Sequence, residues 1–140
     1  MIAVVDNLDV FRLLAKRRIK DGRQALLPYI DDVDIQTFSS AAELLSWLNI
    51  QERVSCQLLL LNYRFANGET IIKSLPDILH HPKMEKSMIL GWSSTDSASH
   101  DFRQHGLAGF ISKNRDESLV EGIIHIITQH DAGTDWIELF

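Results

Sequence analysis

Three polar stations, each placed just after an apolar run, carry the chemistry this chain offers. Asp6-Asn7 follow Ile2-Ala3-Val4-Val5, Asn62 follows Leu58-Leu59-Leu60-Leu61, and Lys113 follows Gly109-Phe110-Ile111-Ser112. The leucine run, with no alternation, reads as a central strand buried on both faces of a parallel sheet. The residue after it therefore lies at a strand's carboxyl end, the rim where open α/β sheets place their sites. A carboxylate at position 62, beside acidic residues on one neighbouring strand and a lysine on another, would accept a phosphoryl group. An amide stands there instead, and an amide offers no anionic oxygen nucleophile for an acyl phosphate.

The elements that must position these residues are legible as alternating apolar runs and helical patterns, the mark of βα units around a parallel sheet. Strands are expected over 2–6, 33–38, 57–62, 87–91 and 107–111. Asp9 can cap a first helix carrying Val10, Phe11, Leu13 and Leu14, and Ser40-Ala41-Ala42-Glu43 is a capping box for a second. A third helix is expected over 68–80, with Pro76 as an irregularity within it. A short fourth spans 97–105 with Gly106 at its exit, and a fifth opens at Asn114, with Glu117 three residues on, and runs to about Gln129. Such a series fits a flavodoxin-like, doubly wound five-stranded parallel sheet of order 2-1-3-4-5 with helices on both faces, which brings Asp6-Asn7, Asn62 and Lys113 together at the topological switch point.

Composition narrows the possibilities. A chain of 140 residues, 45% hydrophobic with 7 Gly and 3 Pro, builds one domain with a real core. That unit is placed at 1–130, with 131–140 a C-terminal tail or the start of a linker. A net charge of −5 argues against direct nucleic-acid binding. Cys56 stands alone and reads as a core residue. No signal peptide is apparent, and no apolar stretch reaches the roughly 18 residues of a membrane span, so a cytoplasmic location is expected.

The segments Val4-Val5-Asp6-Asn7, Leu60-Leu61-Asn62-Tyr63-Arg64-Phe65-Ala66-Asn67-Gly68 and Gly109-Phe110-Ile111-Ser112-Lys113, in that order, resemble the receiver domain of two-component response regulators over about residues 1–130. The resemblance implies that position 62 is the phosphoacceptor, fed by a histidine kinase with Mg²⁺ held by an acidic pair at positions 6 and 7. It further implies a hydroxyl ending the fourth strand, for which Ser93 is favoured over Ser94 and Thr95, a phosphate-pairing lysine at Lys113 and a switch aromatic at Phe110. This chain departs from the pattern at Asn62, at Asn7, and where Ala66 and Asn114 replace prolines. Three carboxylates against one lysine would sum to −2 and recruit a cation, whereas Asp6 and Lys113 alone sum to zero. Mg²⁺ gives up its water reluctantly, so no cofactor is expected, Mg²⁺ binding should be weak or absent, and Asp6 is the one residue left to ligate it. Lys113 can instead pair with Asp6 and hydrogen-bond the Asn62 carbonyl.

Lys16, Arg17, Arg18, Lys20 and Arg23 form the one basic cluster, either a solvated helix flank or, by the resemblance, a partner face. The six histidines lack ligand spacing. Trp92 is expected on an exposed loop. The fifth helix carries a broad apolar arc of Leu119, Val120, Ile123, Ile124, Ile126 and Ile127, wider than a minimal core stripe. Its excess suggests a partner surface, and the resemblance implies a homodimer through helix 4, strand 5 and helix 5, with Val120, Ile124 and Ile127 at the contact. The reading is therefore a non-enzymatic, degenerate receiver that works as a phosphorylation-independent interaction or dimerisation module in bacterial signalling or transcriptional regulation. Its partner would be a histidine kinase, a phosphotransfer protein or an output domain. The alternatives are a receiver phosphorylated elsewhere, at Asp6, and a flavodoxin-like cofactor binder.

Overall fold

The computed structural model describes residues 1–140, the side chain of Asn67 excepted. Its elements run β1 (Ile2–Val5), α1 (Asp9–Asp21), α2 (Arg23–Leu26), β2 (Ile35–Phe38), α3 (Ala41–Ile50), β3 (Leu58–Leu61), α4 (Leu75–Leu79), β4 (Met88–Ser93), α5 (Ala98–Gln104), β5 (Gly109–Ser112), α6 (Leu119–Asp131) and β6 (Ile137–Leu139). All strands are parallel in the order β2-β1-β3-β4-β5-β6. The expected five-strand order holds, and a sixth strand is added where a tail or linker was expected.

Strand alternation builds two cores from one sheet. Ala3, Val5, Leu59, Leu61 and Phe110 face α3, α4 and α5, where Leu44, Leu48, Ile78 and Phe102 meet them. Ile2, Val4, Leu58, Leu60, Trp92 and Ile111 face the other way, onto Ala15 and Ile19 of α1 and Ile123 and Ile126 of α6. The central strands β1 and β3 are buried throughout and pair Val5 with Leu61. The register leaves Asp6 and Asn62 side by side, with Asn62 N–H donating to the Val5 carbonyl at 2.9 Å.

Several helix boundaries differ from the sequence expectation, each for a local reason. The first helix is entered from Asp6, whose Oδ1 accepts Leu8 N–H at 3.0 Å, while Asp9 lies in the first turn and pairs with Arg12. The helix expected over 68–80 is divided: Arg64 and Thr70 form an antiparallel bridge, Ile71–Ser74 is 3₁₀, and α4 is only five residues long. Pro76 sits in the first turn of α4, where a missing N–H is tolerated. Ser118, not Asn114, caps α6, its Oγ accepting Glu121 N–H, because Asn114 is engaged across the sheet rim. At Gly106 the chain leaves α5 at φ +82°, as expected of a helix-exit glycine.

The apolar arc of α6 is absorbed within the chain. Leu119, Val120, Ile123, Ile126 and Ile127 are all buried, and α6 packs on α1 and α2 as well as on β5 and β6. A methyl group at Gly22, between α1 and α2, would stand 2.6 Å from Val120 Cγ2. Val120 and Ile127 are therefore core residues and not the dimer contact expected of them; Ile124 alone of that trio is partly exposed. β6 extends the sheet past β5, so the β5 edge is also covered. No helix among the described residues is long and apolar enough to cross a membrane.

Candidate functional site

The carboxyl ends of β1, β3 and β5 converge as the strand order requires. Lys113 Nζ donates to Asp6 Oδ2 at 2.5 Å and to Asn62 Oδ1 at 3.1 Å. The side chains of Lys113 and Asp6 are 3% and 0% exposed, so this ion pair is shielded from the solvent that weakens surface pairs. Two aromatic faces complete the enclosure of the ammonium: the Phe11 ring centroid lies 3.9 Å from Nζ and that of Trp92 4.8 Å, with the rings edge to face. Such cation–π contacts strengthen when desolvated. Burial pushes the Lys113 pKa down, and the hydrogen bond and charge of Asp6 oppose that shift.

Asn62 is held at both ends of its amide. Its carbonyl accepts from Lys113, while Nδ2 donates to the Arg64 carbonyl at 2.7 Å and to Asn7 Oδ1 at 3.2 Å. A carboxylate could not make the last two bonds, because it has no donor. Around Asp6, Oδ1 is taken by Leu8 N–H, and the backbone carbonyl accepts Arg12 Nη1 at 2.6 Å.

These residues do not fit a divalent cation. Asp6 is the single carboxylate, an ammonium sits on one of its oxygens, and the two neutral oxygens nearby already accept the Asn62 NH₂. No cluster of three or more His, Cys, Asp or Glu suited to a metal exists among the described residues. The cavity beside Lys113 and Trp92 measures about 30 Å³, room for a water or two.

Ser93 is buried at the end of β4, where its Oγ accepts Thr95 N–H at 3.1 Å and so closes the turn that follows. Its main-chain carbonyl receives Lys113 N–H at 2.9 Å. Trp92, expected on an exposed loop, is 3% exposed because β4 runs two residues further than expected and turns the indole into the α1 side of the sheet. Phe110 is fully buried between Phe102 and Phe140, at ring distances of 6.0 and 5.8 Å.

Sequence reasoning missed four participants. Phe11 reads as an ordinary apolar helix position and Trp92 as a loop residue, and nothing in their spacing announces a lysine. Ser112 and Asp96 carry no sequence signal either. Ser112 Oγ donates to Asp96 Oδ1 at 2.5 Å and accepts Asn114 N–H at 3.1 Å, while Asn114 Nδ2 donates to the Ser94 carbonyl at 2.9 Å. These bonds tie the loop after β4 to the loop after β5, across the mouth of the site.

Solved structures that share this doubly wound fold are receiver domains and response regulators. The chain is similar to the chemotaxis response regulator CheY4 of Vibrio cholerae, with a TM-score of 0.68 at 12% identity over 89% of this chain and 96% of that one. A LuxR family DNA-binding response regulator from Silicibacter pomeroyi aligns over 97% of this chain and 94% of its own, with a TM-score of 0.66 and 17% identity. The non-phosphorylated HemR receiver domain from Leptospira biflexa gives a TM-score of 0.60 at 18% identity, covering 91% and 93%. No family model matches the sequence, and no curated protein matches it.

Proposed function

We propose that this chain is a receiver-like signalling domain that works by protein association and not by phosphoryl transfer, in the cytoplasm of a bacterium. The observation that supports it is the closed arrangement at the switch point: Lys113 is committed to Asp6 and the Asn62 carbonyl, and the Asn62 NH₂ satisfies Arg64 and Asn7. The place where a phosphoryl group and its metal would be bound is filled by the chain's own donors. Mg²⁺ binding is weak or absent on this reading, and the domain is not an enzyme. Asp6 makes a poor substitute acceptor, since it is fully buried with both oxygens engaged.

A surface for a histidine kinase, phosphotransfer protein or output domain is offered by the outward side of α1. Val10 and Leu13 are 64% and 66% exposed there, and with Lys16, Arg17 and Lys20 they line an open groove. The experiment is intact-mass measurement after incubation with acetyl phosphate and Mg²⁺, expected to show no change. A stable gain of one phosphoryl group, at Asp6 or elsewhere, would overturn the proposal, and titration calorimetry showing tight Mg²⁺ binding would contradict its metal-free pocket.

A further inference from the structure

The C-terminal segment sits in a seat that the rest of the chain is shaped to receive. β6 pairs in parallel with β5, Gly109 opposite Ile137, Phe110 opposite Glu138 and Ile111 opposite Leu139. A methyl group at Gly109 would stand 2.5 Å from the Ile137 carbonyl oxygen, so glycine alone lets the new strand approach. Phe140, itself exposed, meets the Phe110 ring at a tilt of 45°, while Trp136 packs against one core and Ile137 and Leu139 against the other. The seat is specific, yet the occupant is lightly held. Residues 131–135 are exposed, Trp136, Ile137 and Leu139 are only half-buried, and the strand has three residues. Its tether turns at Gly133, with φ +99°, a conformation that glycine adopts without strain.

The geometry points to the outer edge of β5 as a strand-docking site, with Trp136–Phe140 as its resident occupant and the same segment of a second copy of this chain as its other occupant. Everything the seat recognises, the backbone ladder beside Gly109, the Phe110 ring and the apolar-acidic-apolar alternation of Ile137-Glu138-Leu139, is reproduced when the strand comes from another copy. Exchange keeps every contact of the strand in its seat and alters only the tether, which is the condition for domain swapping. A short tether gives the resident strand an effective concentration on the order of millimolar, so the closed monomer dominates dilute solution and exchange becomes visible as the chain approaches that concentration.

The test uses a fluorescein-labelled peptide of sequence Thr-Asp-Trp-Ile-Glu-Leu-Phe and three proteins: the full chain, the chain ending at Gly133, and the full-length Ile137→Asp/Leu139→Asp variant, whose own strand is spoiled but present. Fluorescence anisotropy should show the peptide binding both altered proteins at least tenfold more tightly than it binds the full chain, whose seat is filled. Adding Gly109→Ala to the double variant should weaken that binding about tenfold. Sedimentation should show a dimer of the full chain rising toward millimolar concentration and absent in the chain ending at Gly133. Equal or no peptide binding to all three, or a dimer that survives loss of the strand, overturns the inference. Failure of both altered proteins to fold overturns it as well, because a strand the monomer cannot release cannot be exchanged. None of these readouts depends on phosphorylation.

Discussion

Asn62 presents a carbonyl to an ammonium and an NH₂ to two oxygens, so replacing its nitrogen with oxygen changes the sign of two contacts at once. In Asn62→Asp, a carboxylate oxygen faces the Arg64 carbonyl and Asn7 Oδ1 with no proton between them. Without divalent ions the variant should lose about 1–3 kcal/mol, the cost of leaving buried polar groups unpaired. Because the change assembles several oxygens around one point, added Mg²⁺ should restore part of that loss. Urea unfolding with chelator and with Mg²⁺ checks this, and an equal loss in both would show that the oxygens do not converge. Asp6 and Lys113 behave as one unit. Removing only the carboxylate, Asp6→Asn, strands a buried ammonium and should cost about 3–5 kcal/mol, whereas the Asp6→Asn/Lys113→Met double change should cost less than Asp6→Asn alone. The pH dependence follows from the lowered pKa of Lys113. At pH below its folded value the lysine is charged in both states and its burial weighs against folding. As pH climbs from that value to the free value of 10.5, the folded state has released the proton first and the penalty lifts, so this group's contribution rises with pH. Tyr63 acts in the opposite sense, since its hydrogen bond to Asp101 raises its pKa: its contribution is full below 10.0 and is lost above. Burial likewise raises the Cys56 thiol, whose contribution is lost as pH climbs past its free value of 9.0, so in a Tyr63→Phe/Cys56→Ala background the alkaline gain from Lys113 should stand alone in urea midpoints and should start at lower pH once Asp6 is also changed to Asn.

At the scale of elements, α6 shows how one amphipathic pattern can serve two neighbours. Its arc is broad because β5 and β6 cover one flank while α1 and α2 cover the other, with Gly22 fitting against Val120. Gly22→Ala should therefore cost about 1–3 kcal/mol through overpacking, and Val120→Ala should recover part of it by opening the same space; thermal melts of the two variants and their combination decide. Arc width read from sequence counts apolar positions but not the partners that bury them, which is why the sequence alone points Val120 and Ile127 toward a dimer. Strand positions were far more legible. Runs such as Leu58–Leu61 are buried on both faces, and the parallel order then brings Asp6, Asn62 and Lys113 together without any contact having to be known. The Lys113 pairing followed from counting charges. Phe11 and Trp92 were not legible as its neighbours, since an aromatic over an ammonium depends on where α1 crosses the sheet. β6 was missed because three residues after an exposed turn carry too little pattern to separate a strand from a tail.

For the molecule as a whole, fold similarity to receiver domains coexists with identities of 12–18% to the structures compared, a level at which architecture persists while chemistry can change. The basic stretch that runs from α1 into α2 has a consequence in time as well as in space. Residues 16–23 carry a net +4 within a chain of −5, which leaves the remaining residues at −9. Such a local excess of positive charge draws an acidic segment of a partner toward this stretch before contact. Added salt, which shortens the screening length to about 8 Å at physiological ionic strength, should slow association steeply and leave dissociation nearly unchanged. Stopped-flow rates against salt, for the parent and for Lys16→Gln/Lys20→Gln, would show the effect as a flattened salt slope in the variant. A domain of this kind would find its partner by attraction, at a speed set by the ionic strength of its surroundings.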